Sequence, residues 1–566
     1  MQLIKKNKPI IILSILAVIF FFIYSFLIFG NSAAKFTWPD ETANYFFIQN
    51  YIEHSTFKAS EPLNNIAAGI IKPRSFNVYQ GNLVPGSFLG LLLVYGVIGK
   101  IFGLALVKFL TPLLAVLAGL FFYKILLKIF RPNIAFLSAI LFFINPAWWY
   151  YANFAFLPNI AFLSFLIIGI YFLLEIGKDS KRNNYLFIGL GAFFIGLALT
   201  IRTNEFLWVF GILLLLSLVY HKKVRWQYVF LFLAVCFLVF LPVFCCNQAT
   251  YGDYLSFGYL RLEQGEDLIG QLPAEFQASS SKFFNFIKFL ALPFGLHPNF
   301  IINNFYNYYL SLFWWLFTPA VLGIFCLIKN YQKKEKAILF LIFLGTSLYL
   351  FVYYGSWQFE DHFTLFLNKM GTSYVRYFLP VYILSLPFAA VFYASLVKWL
   401  KNKKAGILLS LFLILSFIYF SVNLVYLSGN DNLIKVKQTI RDYAIISQKV
   451  IDLTEENAII ISERSDKIFF PERKVIGRWY FDDLDYWLNL LYAGVPLYYY
   501  AYEDDDYMEE LNEEAYYYGF EFADKIGITA KEKLYKIKIL DYENFYYDYD
   551  YEYDEAYDYY DYYEIY

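Results

Sequence analysis

The sequence predicts a polytopic α-helical membrane protein that carries a small α/β domain at its C-terminal end. Two observations carry this. Of 566 residues, 59% are hydrophobic and only 16% charged, against about 25% charged in an ordinary soluble domain. The apolar residues also fall in blocks of about 20, the length needed to cross a hydrocarbon core. A third observation divides the chain: residues 1–427 hold 32 Lys and Arg against 15 Asp and Glu, whereas residues 428–566 hold 14 against 32. An acidic C-terminal part of that kind repels nucleic acid and anionic headgroups.

The first element is an apolar run from Ile10 to Phe29 behind Lys5, Lys6 and Lys8. It is longer than the roughly 7–15 apolar residues of a signal peptide, so it reads as an uncleaved first helix with its N-terminus inside. Further blocks lie at 86–103, 105–129, 134–152, 158–176, 185–201, 204–220, 227–247, 308–328, 337–355, 373–398 and 405–427. If all twelve cross, the basic clusters near Lys124 and Lys181 fall outside, against the positive-inside bias. The glycine-rich block 86–103 is therefore read as interfacial or re-entrant. About eleven spans remain, with the short basic loops cytoplasmic and the chain in a plasma membrane. Three long segments then lie outside: 31–104, 248–307 and everything from 428.

The outer segments hold the residues with chemical promise. Asp40 and Glu41 follow Pro39 at the start of a predicted helix, where they either complement its dipole or supply a general base. Arg74, Arg202 and Arg376 sit at the outer face, against the bias of charge. Arg202 either pairs with Glu205, three residues on, or binds an anion. Arg376 has no carboxylate within a turn, and so either snorkels to headgroups or holds an anion. A carboxylate and guanidinium forks at one membrane face suit displacement at a sugar carbon whose leaving group is a lipid phosphate.

Four stretches carry a resemblance: Trp38-Pro39-Asp40-Glu41, the Arg202 turn, the run from Asn247 to Tyr259, and Arg376-Tyr377-Phe378-Leu379-Pro380. Their order and common outward placement resemble the GT-C membrane glycosyltransferases, nearest to the family 39 group of dolichyl-phosphate-mannose protein mannosyltransferases and aminoarabinose transferases. The resemblance implies a GT-C-like fold over residues 1–427. It also implies a polyprenyl-phosphate-linked sugar as donor, and a protein, lipid or glycan acceptor outside the cytoplasm. The family's catalytic acid falls on Asp40, with Glu41 its neighbour. The donor phosphate is assigned to Arg376, Arg202 and Arg74, and substrate contacts to Asn44, Asn159, Tyr259 and His297. The second acidic residue that several relatives carry in the next outer turn is absent, since Asn153 and Asn159 are the polar residues there.

No cofactor is read with certainty, and a divalent metal stays an open expectation carried only by His297 and the Glu360-Asp361-His362 cluster. No phosphate-binding glycine loop is present, so ATP is not implied. The expected reaction is inverting glycosyl transfer; the alternative is a transporter or flippase for a lipid-linked or small solute. Residues 428–540 read as the α/β unit, with a helix near 433–452, strands at 458–461, 474–476 and 495–500, and a helix near 484–493. Residues 541–566, with 12 Tyr and 10 Asp or Glu, read as a disordered low-complexity tail.

Overall fold

A computed structural model describes residues 2–31, 33–177, 181–259, 292–328, 334–357, 370–400, 402–477, 483–502 and 505–540. The Glu360-Asp361-His362 cluster, the larger part of the 248–307 loop and the 541–566 tail lie outside the described residues. The described chain is mostly helical. Seven helices are long and apolar enough to cross a membrane, eight if the bent pair Pro132–Phe143 and Pro146–Ala152 is one span. Four shorter apolar helices accompany them.

Small residues set the tightest approaches between spans. Leu312–Ile328 lies on Leu379–Trp399, and a Cβ at Gly323 would come within 1.8 Å of the Phe388 carbonyl oxygen. Gly169 and Gly191 play the same part between Pro158–Leu173 and Lys181–Ile201. In lipid such close backbone contact replaces the hydrophobic driving force that packs helices in water.

The first outer segment holds α2 (Pro39–His54), after α1 (Gln2–Tyr24). Pro39 opens α2 with Asp40 and Glu41 in its first turn, and Ser55 in a left-handed conformation closes it. Next comes a sheet absent from the sequence reading: β1 (Ala59–Ser60), β2 (Phe76–Tyr79) and β3 (Asn82–Pro85), in the order β1-β3-β2. Its hairpin turns on Gln80 and Gly81, both at positive φ, which suits the twist of a two-residue connection.

The glycine-rich block forms α3 (Leu89–Phe102), about 21 Å long and short of a hydrocarbon core of about 30 Å. Near its start, Gly90 abuts the Thr200 carbonyl at the end of Lys181–Ile201. From its middle, the Tyr95 hydroxyl reaches Thr111 at 2.7 Å, at the start of Leu110–Leu126. Phe109, just before Leu110–Leu126, packs on Phe21 of α1 and on Phe29, which follows it. The Gly90 and Tyr95 contacts thus tie α3 to the ends of two neighbouring helices. One boundary shifts: the helix Pro298–Phe305 occupies residues read as outer loop.

Beyond Leu433–Leu453 stands a mixed five-stranded sheet. Its strands are β4 (Ile459–Ile461), β5 (Lys474–Ile476), β6 (Leu497–Ala501), β7 (Phe520–Gly527) and β8 (Lys533–Ile539), in the order β5-β4-β6-β8-β7. The pairs of β4 with β5 and β6 are parallel, and those of β8 with β6 and β7 antiparallel. Each element expected up to Ala501 is present; the helix Asp505–Tyr517 and the last two strands were not read from the sequence. Ala67 and Ile71 of the first outer segment join the core of this sheet with Ile459, Trp487 and Leu497. Phe470 packs on Phe46 and Phe76 with ring centroids 4.9 and 5.0 Å away. The sheet and the outer segment are therefore one packed body, and that body carries Asp40.

Candidate active site

Asp40 and Arg376 are 336 positions apart in the chain and form an ion pair, Nη1 to Oδ2, at 2.8 Å. Arg376 stands on the short helix Ser373–Tyr377, which begins after Thr372 and ends just before the span Leu379–Trp399. Its guanidinium lies over Trp38 at 4.8 Å and Tyr377 at 5.0 Å, a placement that the ring quadrupoles favour. Nη2 donates to Ser373 Oγ at 3.1 Å. Nε is buried with no hydrogen-bond partner among the described residues. A buried unpaired donor on a cation is costly, and it is satisfied if an anion enters.

The Asp40 side chain keeps 31% of its surface, against 9% for Arg376, so the carboxylate is open to an incoming group. Its second oxygen accepts from Ser75 Oγ at 2.7 Å. Burial alone would raise its pKa. The charge and hydrogen bond of Arg376, the Ser75 hydroxyl and the charge of Arg202 outweigh that, and Asp40 is held below the ordinary carboxylate value. It stands ionised at neutral pH, as a base requires.

Glu41, its neighbour, faces the other way. It is 3% exposed, and its carboxylate accepts from the Phe156 amide at 3.3 Å. Burial pushes its pKa up to about 8, with the Asp40 charge adding and the Phe156 and Ala155 amides opposing. Two adjacent carboxyls are thus driven to opposite protonation states, one by an arginine and the other by an apolar pocket.

The remaining expected residues divide. Tyr259 is exposed, its ring packs on Phe88 at 5.0 Å, and it lies within electrostatic reach of Asp40, Tyr377, Arg202 and Arg376. Asn159 is buried and donates to the Arg376 carbonyl at 3.3 Å, so it holds the helix of Arg376 from behind. Arg202 is buried in a network: Nε and Nη2 donate to Glu205 Oε1 at 3.0 and 2.8 Å, and Nη2 to the Tyr354 hydroxyl at 2.8 Å. The structural pair with Glu205 is real. Its guanidinium still stands 4.9 Å from the Tyr377 ring centroid, so its charge reaches the site without its fork being free.

Three expected residues are engaged elsewhere in the structure. Arg74 turns away to the C-terminal sheet region, where Nε meets Asp466 at 2.9 Å and Nη2 the Arg464 carbonyl at 2.5 Å; its fork is spent on protein. Asn44 donates to the Phe156 carbonyl at 2.8 Å and accepts from Ser87 at 3.3 Å, which leaves it a structural tie. His297 places its ring against Phe300 at 5.7 Å and has no contact with the Asp40 pair. The described residues hold no group of three His, Cys, Asp or Glu that could bind a metal. The sequence reading gave no role to Ser75, Ser373, Trp38 or Tyr377, the last two of which it met only inside motif stretches, because their value comes from lying beside Asp40 or Arg376 once the chain is folded.

Residues 89–245 match the family model described as dolichyl-phosphate-mannose-protein mannosyltransferase. No curated protein matches the sequence. Among solved structures the chain is similar to ArnT from Cupriavidus metallidurans in the apo state, with a TM-score of 0.54 and 11% identity over 94% of this chain and 98% of that one. ArnT bound to undecaprenyl phosphate gives a TM-score of 0.53, with the same identity and coverage. The apo oligosaccharyltransferase of Archaeoglobus fulgidus gives a TM-score of 0.54 and 14% identity, over 88% of this chain and 70% of that one. At such identity these likenesses speak for the fold. The resemblance read from the motifs is borne out, and the chain has the fold of the GT-C membrane glycosyltransferases.

Proposed function

We propose that this protein is an inverting glycosyltransferase that moves a sugar from a polyprenyl-phosphate carrier to a hydroxyl on a protein, lipid or glycan at the extracytoplasmic face. The observation that carries the proposal is the half-open Asp40–Arg376 pair, which joins an ionised carboxylate to a guanidinium with an unpaired buried Nε. Structures of the fold support the donor class, since one ArnT structure holds undecaprenyl phosphate and one Archaeoglobus oligosaccharyltransferase structure holds dolichol-phosphate. Another holds a tethered acceptor peptide, which places polypeptide among the acceptors to try.

In this reading the donor phosphate takes Arg376 by its fork, with the charge of Arg202 adding to the field. The acceptor oxygen bonds to the anomeric carbon as its proton passes to Asp40. The carbon–oxygen bond to phosphate breaks on the opposite face, and the bonding pair leaves with the phosphate. Base and leaving group then stand on opposite sides of the sugar, so the resting ion pair opens as the donor enters. Losing the guanidinium raises the proton affinity of Asp40 at the moment it must accept a proton. Charge gathered at one end of the bundle supports transfer over the transporter alternative, which needs ionisable groups near mid-membrane.

The test is release of free polyprenyl phosphate from a panel of polyprenyl-phosphate sugars by the purified full chain. Asp40→Asn should lower turnover by about 10²–10⁴ while donor binding persists. Full turnover by that variant would remove Asp40 from the reaction.

A further inference from the structure

The hydroxyl that bonds Asp40 belongs to a residue held in place from the C-terminal part of the chain. Ser75 has φ +66°, a left-handed conformation that a non-glycine residue adopts only where its surroundings impose it. Two clamps impose it here. On one side its carbonyl accepts the Gly86 amide at 3.0 Å, and a Cβ at Gly86 would lie 2.6 Å from that oxygen. On the other side Arg74 is bound by Asp466: Oδ2 accepts its backbone N–H at 2.8 Å and Oδ1 its Nε at 2.9 Å. The Asp466 side chain is fully buried. Gly477, just beyond β5, donates to the Lys72 carbonyl at 3.0 Å. A Cβ there would meet Asp466 Cβ at 2.9 Å and the Arg74 nitrogen at 3.0 Å, so the seam closes only with hydrogen at that position.

We propose that Asp466 is a positioning residue for the base: it fixes Arg74, and through Arg74 it turns Ser75 so that the Ser75 hydroxyl is aimed at Asp40. The C-terminal sheet region thereby becomes part of the catalytic apparatus without touching substrate. The proposal rests on Asp40 being the base. Among the described residues, the charged and titratable groups facing Asp40 are Arg376, Arg202, Tyr259 and its neighbour Glu41. None of these is bonded to Asp466, so the Ser75 hydrogen bond is the channel that the test reads.

The experiment follows kcat against pH for the full chain, by release of polyprenyl phosphate, alongside donor binding. Ser75→Ala removes a donor to ionised Asp40, and Asp466→Asn frees the segment that aims it. Each should move the acid limb to higher pH by about one unit with donor affinity unchanged, and the double variant should move it no further than Ser75→Ala alone. Glu61→Gln serves as control, because it cuts the Lys474–Glu61 pair at the same seam without leading to Ser75; its limb should stay in place. If Asp466→Asn does not fold, Arg74→Lys, which removes the Nε bond and leaves the backbone one, takes its place and should move the limb in the same direction by less. An unmoved limb, or additive shifts in the double variant, overturns the proposal. Loss of turnover in Asp40→Asn beside an unmoved limb in the others would sink the positioning role alone, whereas full turnover in Asp40→Asn would sink the base reading first.

Discussion

Asp40 and Glu41 share a helical turn and differ in what surrounds them. One carboxyl is held ionised by a guanidinium and a hydroxyl, and the other is driven toward its protonated form by burial, which outweighs the Phe156 and Ala155 amides. The folded pKa of Glu41, about 8, lies above its ordinary value of 4.5. The folded state therefore binds the extra proton between those two values, and the stability Glu41 contributes is full below the lower one and is lost as pH rises through the upper one. Glu41→Gln keeps the shape of the neutral acid. Thermal unfolding in detergent between pH 5 and 9 should fall less steeply with pH in that variant than in the native chain, and turnover at pH 7 should be largely kept. An unchanged slope would mean that Glu41 is ionised in the fold.

At the scale of elements, the spans are locked by places where only hydrogen fits between backbones. Gly323 against the Phe388 carbonyl, with 1.8 Å to an added Cβ, is the tightest of these among the described residues. Pro387 lies inside the facing helix, next to the residue approached, so the two helices meet where one is already interrupted. Gly323→Ala should force them apart and lower stability by about 1–3 kcal/mol, read as a lower melting temperature of the purified chain. The same substitution at Gly345, where nothing lies within 4 Å of an added Cβ, should leave the melting temperature near its native value. Equal effects at both positions would show that the loss comes from something other than helix contact.

Over the whole molecule, the outer segment and the C-terminal sheet share one core, and that body covers the end of the bundle where the Asp40 pair lies. Lys35 adds to the join from inside: its side chain is 4% exposed and meets Glu472 at 2.6 Å. We propose, from the positive-inside bias, that this body lies outside the cytoplasm. In a cysteine-free background, Glu509→Cys on the exposed face of the helix Asp505–Tyr517 should react with a membrane-impermeant maleimide on intact cells, and Lys222→Cys only after lysis. The reverse pattern would invert the topology and remove the extracytoplasmic donor from the argument.

The sequence by itself determined the membrane class, the helical character of the apolar blocks and the first half of the C-terminal sheet. Each depends on composition or periodicity over a stretch of neighbours. It also marked Asp40 and Arg376, because charge at an outer membrane edge stands out against an apolar background. Tertiary structure alone decided which marked residues meet. Arg376 reaches Asp40 across 336 positions, while Arg74, equally conspicuous in the sequence, goes to Asp466. The Ser75 hydroxyl, the burial of Glu41 and the Arg202 network were illegible for the same physical reason: the field and the hydrogen bonds at a side chain come from whatever the fold places around it, and those partners lie far away along the chain.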